Sequence, residues 1–279
     1  MFEAGGQRWG MDMGSDNYGL KNYFSQSLRF RYGYYRKSTA GHNTLTFDND
    51  GLDNSNRGAC DQDPGASGIT AISLFAGSST TYSHHHEGEG EGEGDAVVGG
   101  SSSSPAYSIV DLTAAYGPQN SSRIERGFAF TESYEHLLIV DEFEFVAVDS
   151  TPPRNVTWTM HTMATIQLPT AASGALGGSA VLSLGGATLY ATVIEPAGAA
   201  FSAAAVDLDP PQNPSVGVSK LKIHLNLAAA TTDVGAVSRR VMAPVTRLVV
   251  GLSLSAVATA VTPNPLSQWK AVGPFAGEL

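Results

Sequence analysis

Short runs of alternating apolar and polar residues, each fenced by glycine, proline, asparagine or aspartate, constrain this chain more than anything else in it. They recur at Thr44–Phe47, Ile69–Phe75, Leu137–Val148, Val156–Met163 and Lys220–Leu225, whereas helical periodicity is scarce. A period of two puts successive side chains on opposite faces of a pleated strand, so each run has one face to bury and one to expose. Many such strands in succession bury those faces by closing two antiparallel sheets on each other, and an all-β antiparallel sandwich is the expected fold. With 279 residues the chain is long enough for one large β domain or two smaller ones.

Two segments interrupt this rhythm. Residues 82–105 read YSHHHEGEGEGEGDAVVGGSSSSP, a low-complexity stretch with nothing to pack. It is expected to be a surface-loop insertion. His84, His85 and His86 could bind metal adventitiously, but consecutive residues of an extended chain point different ways and preform no site. Pro196–Pro214, alanine-rich and ending DLDPPQNP, reads as a second long loop. From Pro152 onward the chain either completes the sandwich or adds a small second sheet. Cys60 is the only cysteine, so no internal disulfide framework exists, and no neighbour activates it as a nucleophile. No apolar run approaches the about 18 residues of a membrane helix, and no signal peptide opens the chain. The sequons at Asn120 and Asn155 would permit glycosylation on secretion.

The first 45 residues carry the chemistry. Asp12 ends a strand-like WGMD before a glycine turn, and His42 opens another strand 30 residues later. A carboxylate and an imidazole are two zinc-type ligands, where three from the protein are usual; equally, Asp12 could cap a turn and His42 hydrogen-bond across strands. Between Lys21 and Asn43 lie five cations (Lys21, Arg29, Arg31, Arg36, Lys37) and no carboxylate, in a chain of net charge −10. Such a local excess suits an anion, and the overall charge argues against nucleic acid.

The phrases GQRWGMDMGSDNY (Gly6–Tyr18), YYRKSTAGHNTL (Tyr34–Leu45), DQDP (Asp61–Pro64), VDLTAAY (Val110–Tyr116), VDEFE (Val140–Glu144) and TMHTMATIQL (Thr159–Leu168) resemble, in order, the C-terminal β-domain of the heparinase II/III-like polysaccharide lyases. The resemblance covers roughly the first 170 residues and implies the β-sandwich that follows an α/α-toroid in that family. It implies that the chain is a fragment, with a helical catalytic domain and a His-bearing strand upstream and a secreted, periplasmic or cell-envelope location. The parent would be a lyase cleaving an acidic, uronic-acid-containing glycan (a glycosaminoglycan or an alginate) by β-elimination, with the isolated chain inactive. The alternative is a non-catalytic carbohydrate-binding or structural β-sandwich.

The resemblance also assigns residues. A structural zinc or other divalent metal would be held by Asp12 and His42, with its first histidine ligand missing, an incomplete set. The β-domain lends a catalytic tyrosine from the loop between those ligands, which offers Tyr18, Tyr23, Tyr32, Tyr34 and Tyr35. Tyr23 and Tyr18, in the turn-like DNYGLKNYF, are the first choices, whereas Tyr32 and Tyr34 share a parity with Phe30 that points to packing. Arg31, Arg36 and Lys37 are the candidates for substrate carboxylate or sulfate. His161 matches a family phrase but reads as a core histidine, and His136 and His224 attract no functional role.

Overall fold

The computed structural model describes residues 1–25, 30, 32–48, 68–75, 78–80, 105–116, 121–131, 136–145, 155–169, 178–227, 246–256 and 261–275. Cys60, Arg29, Arg31, DQDP, His84–His86 and the rest of the insertion through Ser104 lie outside them.

Fifteen strands form three antiparallel sheets among the described residues. A hairpin of β1 (Phe2–Ala4) and β2 (Gln7–Gly10) opens the chain. The smaller layer of the sandwich has four strands in the order β13 (Phe201–Ala205), β14 (Ser219–Asn226), β9 (Asn155–Thr162), β3 (Leu45–Asp48). The larger has nine: β10 (Thr165–Gln167), β11 (Ser179–Leu184), β12 (Ala187–Glu195), β15 (Thr246–Ser253), β8 (His136–Phe145), β7 (Ser121–Phe130), β6 (Tyr107–Asp111), β4 (Gly68–Phe75) and β5 (Ser78–Thr80). The expected all-β sandwich is therefore the observed fold. The C-terminal third does not form a domain of its own; it supplies strands to both layers.

The alternation read in the sequence sets the layers. Leu45 and Phe47, Val156, Trp158 and Met160, and Leu221, Ile223 and Leu225 face Ile139, Phe143, Leu182, Leu189, Leu248 and Val250 across a single buried core. Truncating a side chain such as Trp158, which is 2% exposed, to alanine would cost about 3–5 kcal/mol in lost contacts and residual cavity.

Leu138–Phe143 is buried on both faces because β8 lies near the middle of the large sheet and a helix covers its far side. Helix α1 (Leu266–Val272) packs Leu266 and Trp269 against Tyr107, Ile109, Ala129, Val140 and Val249. Its first N–H has no capping side chain from Pro265, and the buried Glu142 carboxylate of β8 accepts from Leu266 N–H at 3.0 Å instead. Gly127 makes the contact possible, since a Cβ there would lie 2.4 Å from Leu266 Cδ2 and 2.8 Å from Trp269 Cη2.

One expectation is corrected. Pro196–Pro214 is not all loop, because Phe201–Ala205 forms β13 and pairs with Ser219–Ile223. Serine and alanine carry little strand propensity; edge pairing and the burial of Phe201 in the core beside Trp158 decide the conformation. No helix among the described residues is long and apolar enough to cross a membrane.

Candidate functional site

The outer face of the small sheet carries the polar residues that the core face rejects. On β9, Val156, Trp158 and Met160 point inward, which leaves His161 on the opposite side, and its antiparallel partner on β14 is Lys220. This outer face is not open to solvent at His161, which is completely buried. The N-terminal segment crosses it: the chain beyond β2 continues with Met11 N–H donating to His161 C=O at 2.9 Å.

Asn43 ties that segment down. Its Oδ1 accepts from His161 N–H at 2.7 Å and faces His161 Nδ1 at 3.1 Å, while its Nδ2 donates to Met11 C=O at 3.1 Å. Arg126, from the large sheet, donates to Asn43 C=O at 2.7 Å. Its guanidinium is otherwise held bidentate by buried Asp141 at 2.6 and 2.9 Å, and these two residues are direct cross-strand partners. The ion pair outweighs the burial that opposes the charge, and the pKa of Arg126 stays above its ordinary value. Tyr116 secures the next residues, donating to Leu45 C=O at 2.6 Å and lying 3.0 Å from Thr44 Oγ1.

Met11 and Asn43 immediately flank Asp12 and His42, so this lattice fixes both. Asp12 Oδ2 lies 3.1 Å from His42 Nδ1, and Asp12 Oδ1 accepts Gly14 N–H at 2.7 Å. Asp12 thus caps a turn, and the His42 side chain turns to Asp12 rather than across strands. Burial raises the Asp12 pKa, but the Gly14 N–H and the neighbouring His42 outweigh it and leave the carboxyl below its ordinary value. Both side chains remain nearly half exposed. Among the described residues no group of three His, Cys, Asp or Glu converges, so a divalent ion here would have two protein ligands. That falls short of the three that zinc usually takes.

Gly41 explains the AGH sequence. Residues Tyr35–Lys37 and Thr39–Gly41 form two short 3-10 turns that fold back on each other. A Cβ on Gly41 would lie 2.1 Å from the Tyr35 carbonyl oxygen, so only glycine lets the two turns meet. The turns also displace the parity reading of Tyr32 and Tyr34, which belongs to strands.

This fold-back delivers Tyr35 to the buried histidine. Tyr35 Oη lies 2.8 Å from His161 Nε2, and Lys220 Nζ donates to the same oxygen at 3.2 Å. Asn43 Oδ1 can only accept, so His161 Nδ1 carries the proton and Nε2 receives the Tyr35 hydroxyl. Burial, then the Lys220 charge, push the His161 pKa down to about 4, and the imidazole is neutral near pH 7. His42 and Asp12 also act on it, in opposite directions, so the two halves of the site share one field. The Tyr35 oxygen thus has a donor cation on one side and an acceptor base on the other. That arrangement would stabilise charge developing on it.

The residues preferred from the sequence lie elsewhere. Tyr23 is buried; its hydroxyl accepts Asp16 N–H at 3.3 Å, and Lys37 Nζ sits 3.7 Å from its ring centroid. Tyr18 is exposed and packs its ring 5.3 Å from that of Tyr23. Arg36 donates to the carbonyls of Met13, Asn213 and Pro214 and so fastens the N-terminal loop to the 206–218 loop. Tyr35, Asn43 and Lys220 were not singled out. Nothing short of the strand register reveals that Lys220 opposes His161, and Gly41, six residues after Tyr35, shows its role in the fold-back only once the two turns are seen to meet.

No family model matches this chain, and no curated protein does. Solved structures similar to it are a heparinase III gene product, in lysine-methylated and unmodified forms, and the heparan sulfate lyase HepC from Pedobacter heparinus. The first two match at a TM-score of 0.49 and 13% identity over 93% of this chain and 29% and 30% of theirs. HepC matches at a TM-score of 0.49 and 9% identity over 89% of this chain and 28% of its own. The chain therefore spans less than a third of the length of these proteins.

Proposed function

We propose that this chain is the β-sandwich part of a polysaccharide lyase that cleaves an acidic, uronic-acid-containing glycan by β-elimination. One observation supports the reading above the others. The phrases that carry the lyase resemblance are scattered along the sequence, yet their polar residues meet in one network. GQRWGMDMGSDNY supplies Asp12, YYRKSTAGHNTL supplies Tyr35, His42 and Asn43, and TMHTMATIQL supplies His161. VDLTAAY and VDEFE supply Tyr116 and Asp141 behind them.

Among the loop tyrosines we place the proton transfer on Tyr35. β-Elimination removes the proton alpha to the substrate carboxyl group. The electron pair of that C–H bond becomes the new carbon–carbon double bond as the glycosidic C–O bond breaks, and the departing oxygen takes a proton. Tyr35 acts in its deprotonated form: the tyrosinate oxygen takes that proton and, as the resulting hydroxyl, returns it to the leaving oxygen, so the proton count closes on one residue. Lys220 steadies that oxygen while it carries charge, and neutral His161 orients its hydroxyl. In the lyases this chain resembles, most of the groups that neutralise the substrate carboxyl come from the helical domain.

The test is release of unsaturated uronate, followed by its ultraviolet absorbance, from heparan sulfate, chondroitin sulfate, hyaluronan and alginate. It is run with this chain and with whatever longer polypeptide its transcript encodes. Product from the longer polypeptide, and loss of at least about 100-fold in kcat with Tyr35→Phe, is the expected result. No product from any acidic glycan refutes the lyase reading; tight glycan binding without turnover would leave a carbohydrate-binding sandwich.

A further inference from the structure

Among the described residues, the three most exposed aromatic side chains lie on the N-terminal loop. Tyr18, Phe24 and Phe30 are 63%, 65% and 56% exposed, in a chain whose three tryptophans are fully buried. The first two belong to one group: Tyr18 and Phe24 ring centroids lie 5.6 Å apart, and both rest on buried Tyr23 at 5.3 and 5.0 Å. Tyr34 extends the group, 6.4 Å from Tyr23, and its hydroxyl donates to Lys21 C=O at 2.6 Å. Beside it a hollow of about 250 Å³ is lined by Lys21, Asn22, Phe30, Gly33 and Tyr34. That is below the usual size of drug-like pockets and suits a single sugar ring.

The charged residues of the segment from Lys21 to Asn43 have one sign. Lys21 is exposed on the rim of the hollow, while half-buried Lys37 donates to Tyr23 C=O, its Nζ 3.7 Å from the Tyr23 centroid and 5.8 Å from that of Phe24. No carboxylate occurs from Lys21 to Asn43. Asp16, the acidic residue just before, is buried, accepts Asn17 and Asn213 N–H groups, and lies 3.9 Å from Arg36 Nε. Exposed aromatic faces match the apolar face of a pyranose, and exposed Lys21 matches its carboxylate or sulfate; an apolar protein partner would have no use for that charge.

We propose that Tyr18, Phe24 and the Lys21 hollow form a binding platform for one anionic pyranose unit of an acidic glycan, separate from the Tyr35 site. The platform rests on the acidic-glycan part of the reading above but not on catalysis. Its geometry accounts for why Tyr18 is exposed while Tyr23 is buried beneath it: the lower ring braces the upper two.

The experiment is affinity electrophoresis and calorimetry of this chain with oligoalginate and heparan sulfate fragments, with cello-oligosaccharide as the neutral control. Tyr18→Ala/Phe24→Ala is expected to weaken acidic-glycan binding at least tenfold, and Lys21→Glu to weaken it further as salt is lowered, with circular dichroism and Tm unchanged. The proposal is overturned by unchanged affinity, by equal binding of the neutral control, or by no binding of any acidic glycan. A change in sedimentation rather than in glycan binding overturns it too and makes the patch a protein contact. Platform binding without cleavage by any longer form would sink the lyase reading alone, whereas cleavage with an unchanged KM in the double variant would sink the platform alone.

Discussion

Lowering the pH should loosen this protein through His161, and the size of the effect follows from its surroundings. The imidazole is completely buried on the outer face of the small sheet, with Lys220 as its cross-strand neighbour, and its pKa falls from 6.5 to about 4. The unfolded chain therefore takes up this proton more readily than the folded one. The full stability is present above pH 6.5, declines as pH falls, and levels off below about pH 4. The single group costs roughly 2 kcal/mol between pH 7 and pH 5 and about 3 kcal/mol by pH 4. Asp12 adds a loss of the same sign only below its ordinary 3.8, so it does not enter at pH 5. Urea denaturation at pH 7 and pH 5, read from the buried tryptophans, measures the change for the native chain and for His161→Gln. Glutamine keeps a donor and an acceptor but cannot titrate, so the variant is expected to be less stable at pH 7 and to lose about 2 kcal/mol less on acidification. Lys220→Met removes the second cause of the shift and should move the native midpoint upward in pH. Equal losses in native chain and His161→Gln would refute the reasoning, because the other ionisable groups are common to both.

Further outcomes follow from the same contacts. Gly41→Ala should destabilise by at least about 3 kcal/mol, because backbone stands where the methyl must go; a thermal shift under 2 °C would contradict the fold-back. Arg126→Met strands buried Asp141 and should cost about 3–5 kcal/mol in urea titrations, whereas Arg126→Met/Asp141→Leu should recover much of it; equal single and double losses would argue against the ion pair. Gly127→Ala should release helix α1, seen as faster amide exchange of Trp269 with the sandwich core unaffected. In an active longer form, Tyr35→Phe should lower kcat far more than Tyr23→Phe, and the reverse order would return the catalytic role to Tyr23.

The fold was legible wherever burial alone set the pattern. Thr44–Phe47, Ile69–Phe75, Val156–Met163 and Lys220–Leu225, and Leu137–Val148 as far as Phe145, fall on strands to within a residue, because a half-buried strand writes its two faces into every second residue. Strand β13 was hidden because serine and alanine write nothing; its conformation is borrowed from β14 through the ladder. Helix α1 is two turns long, too short for a period of 3.6 to declare itself, and its capping carboxylate lies 124 residues away.

The site was half legible for a related reason. Asp12 and His42 are coupled in the sequence only as two candidate ligands of one ion, through the lyase resemblance, whereas the hydrogen bond that joins them emerges from the fold. Which tyrosine accompanies them could not be read from the sequence, since five tyrosines fall between Asp12 and His42 and their selection depends on a contact across the sheet. Tyr35 is picked out by three facts that no local pattern holds together. Gly41 admits its backbone, β9 turns His161 away from the core, and the β9–β14 register sets Lys220 opposite. Slipping that register by one residue would replace Lys220 with Ser219 or Leu221 and leave the Tyr35 oxygen without its cation. The chemistry of this face is thus fixed by the same apolar residues, Leu221, Ile223 and Leu225, that hold β14 in register from the other side.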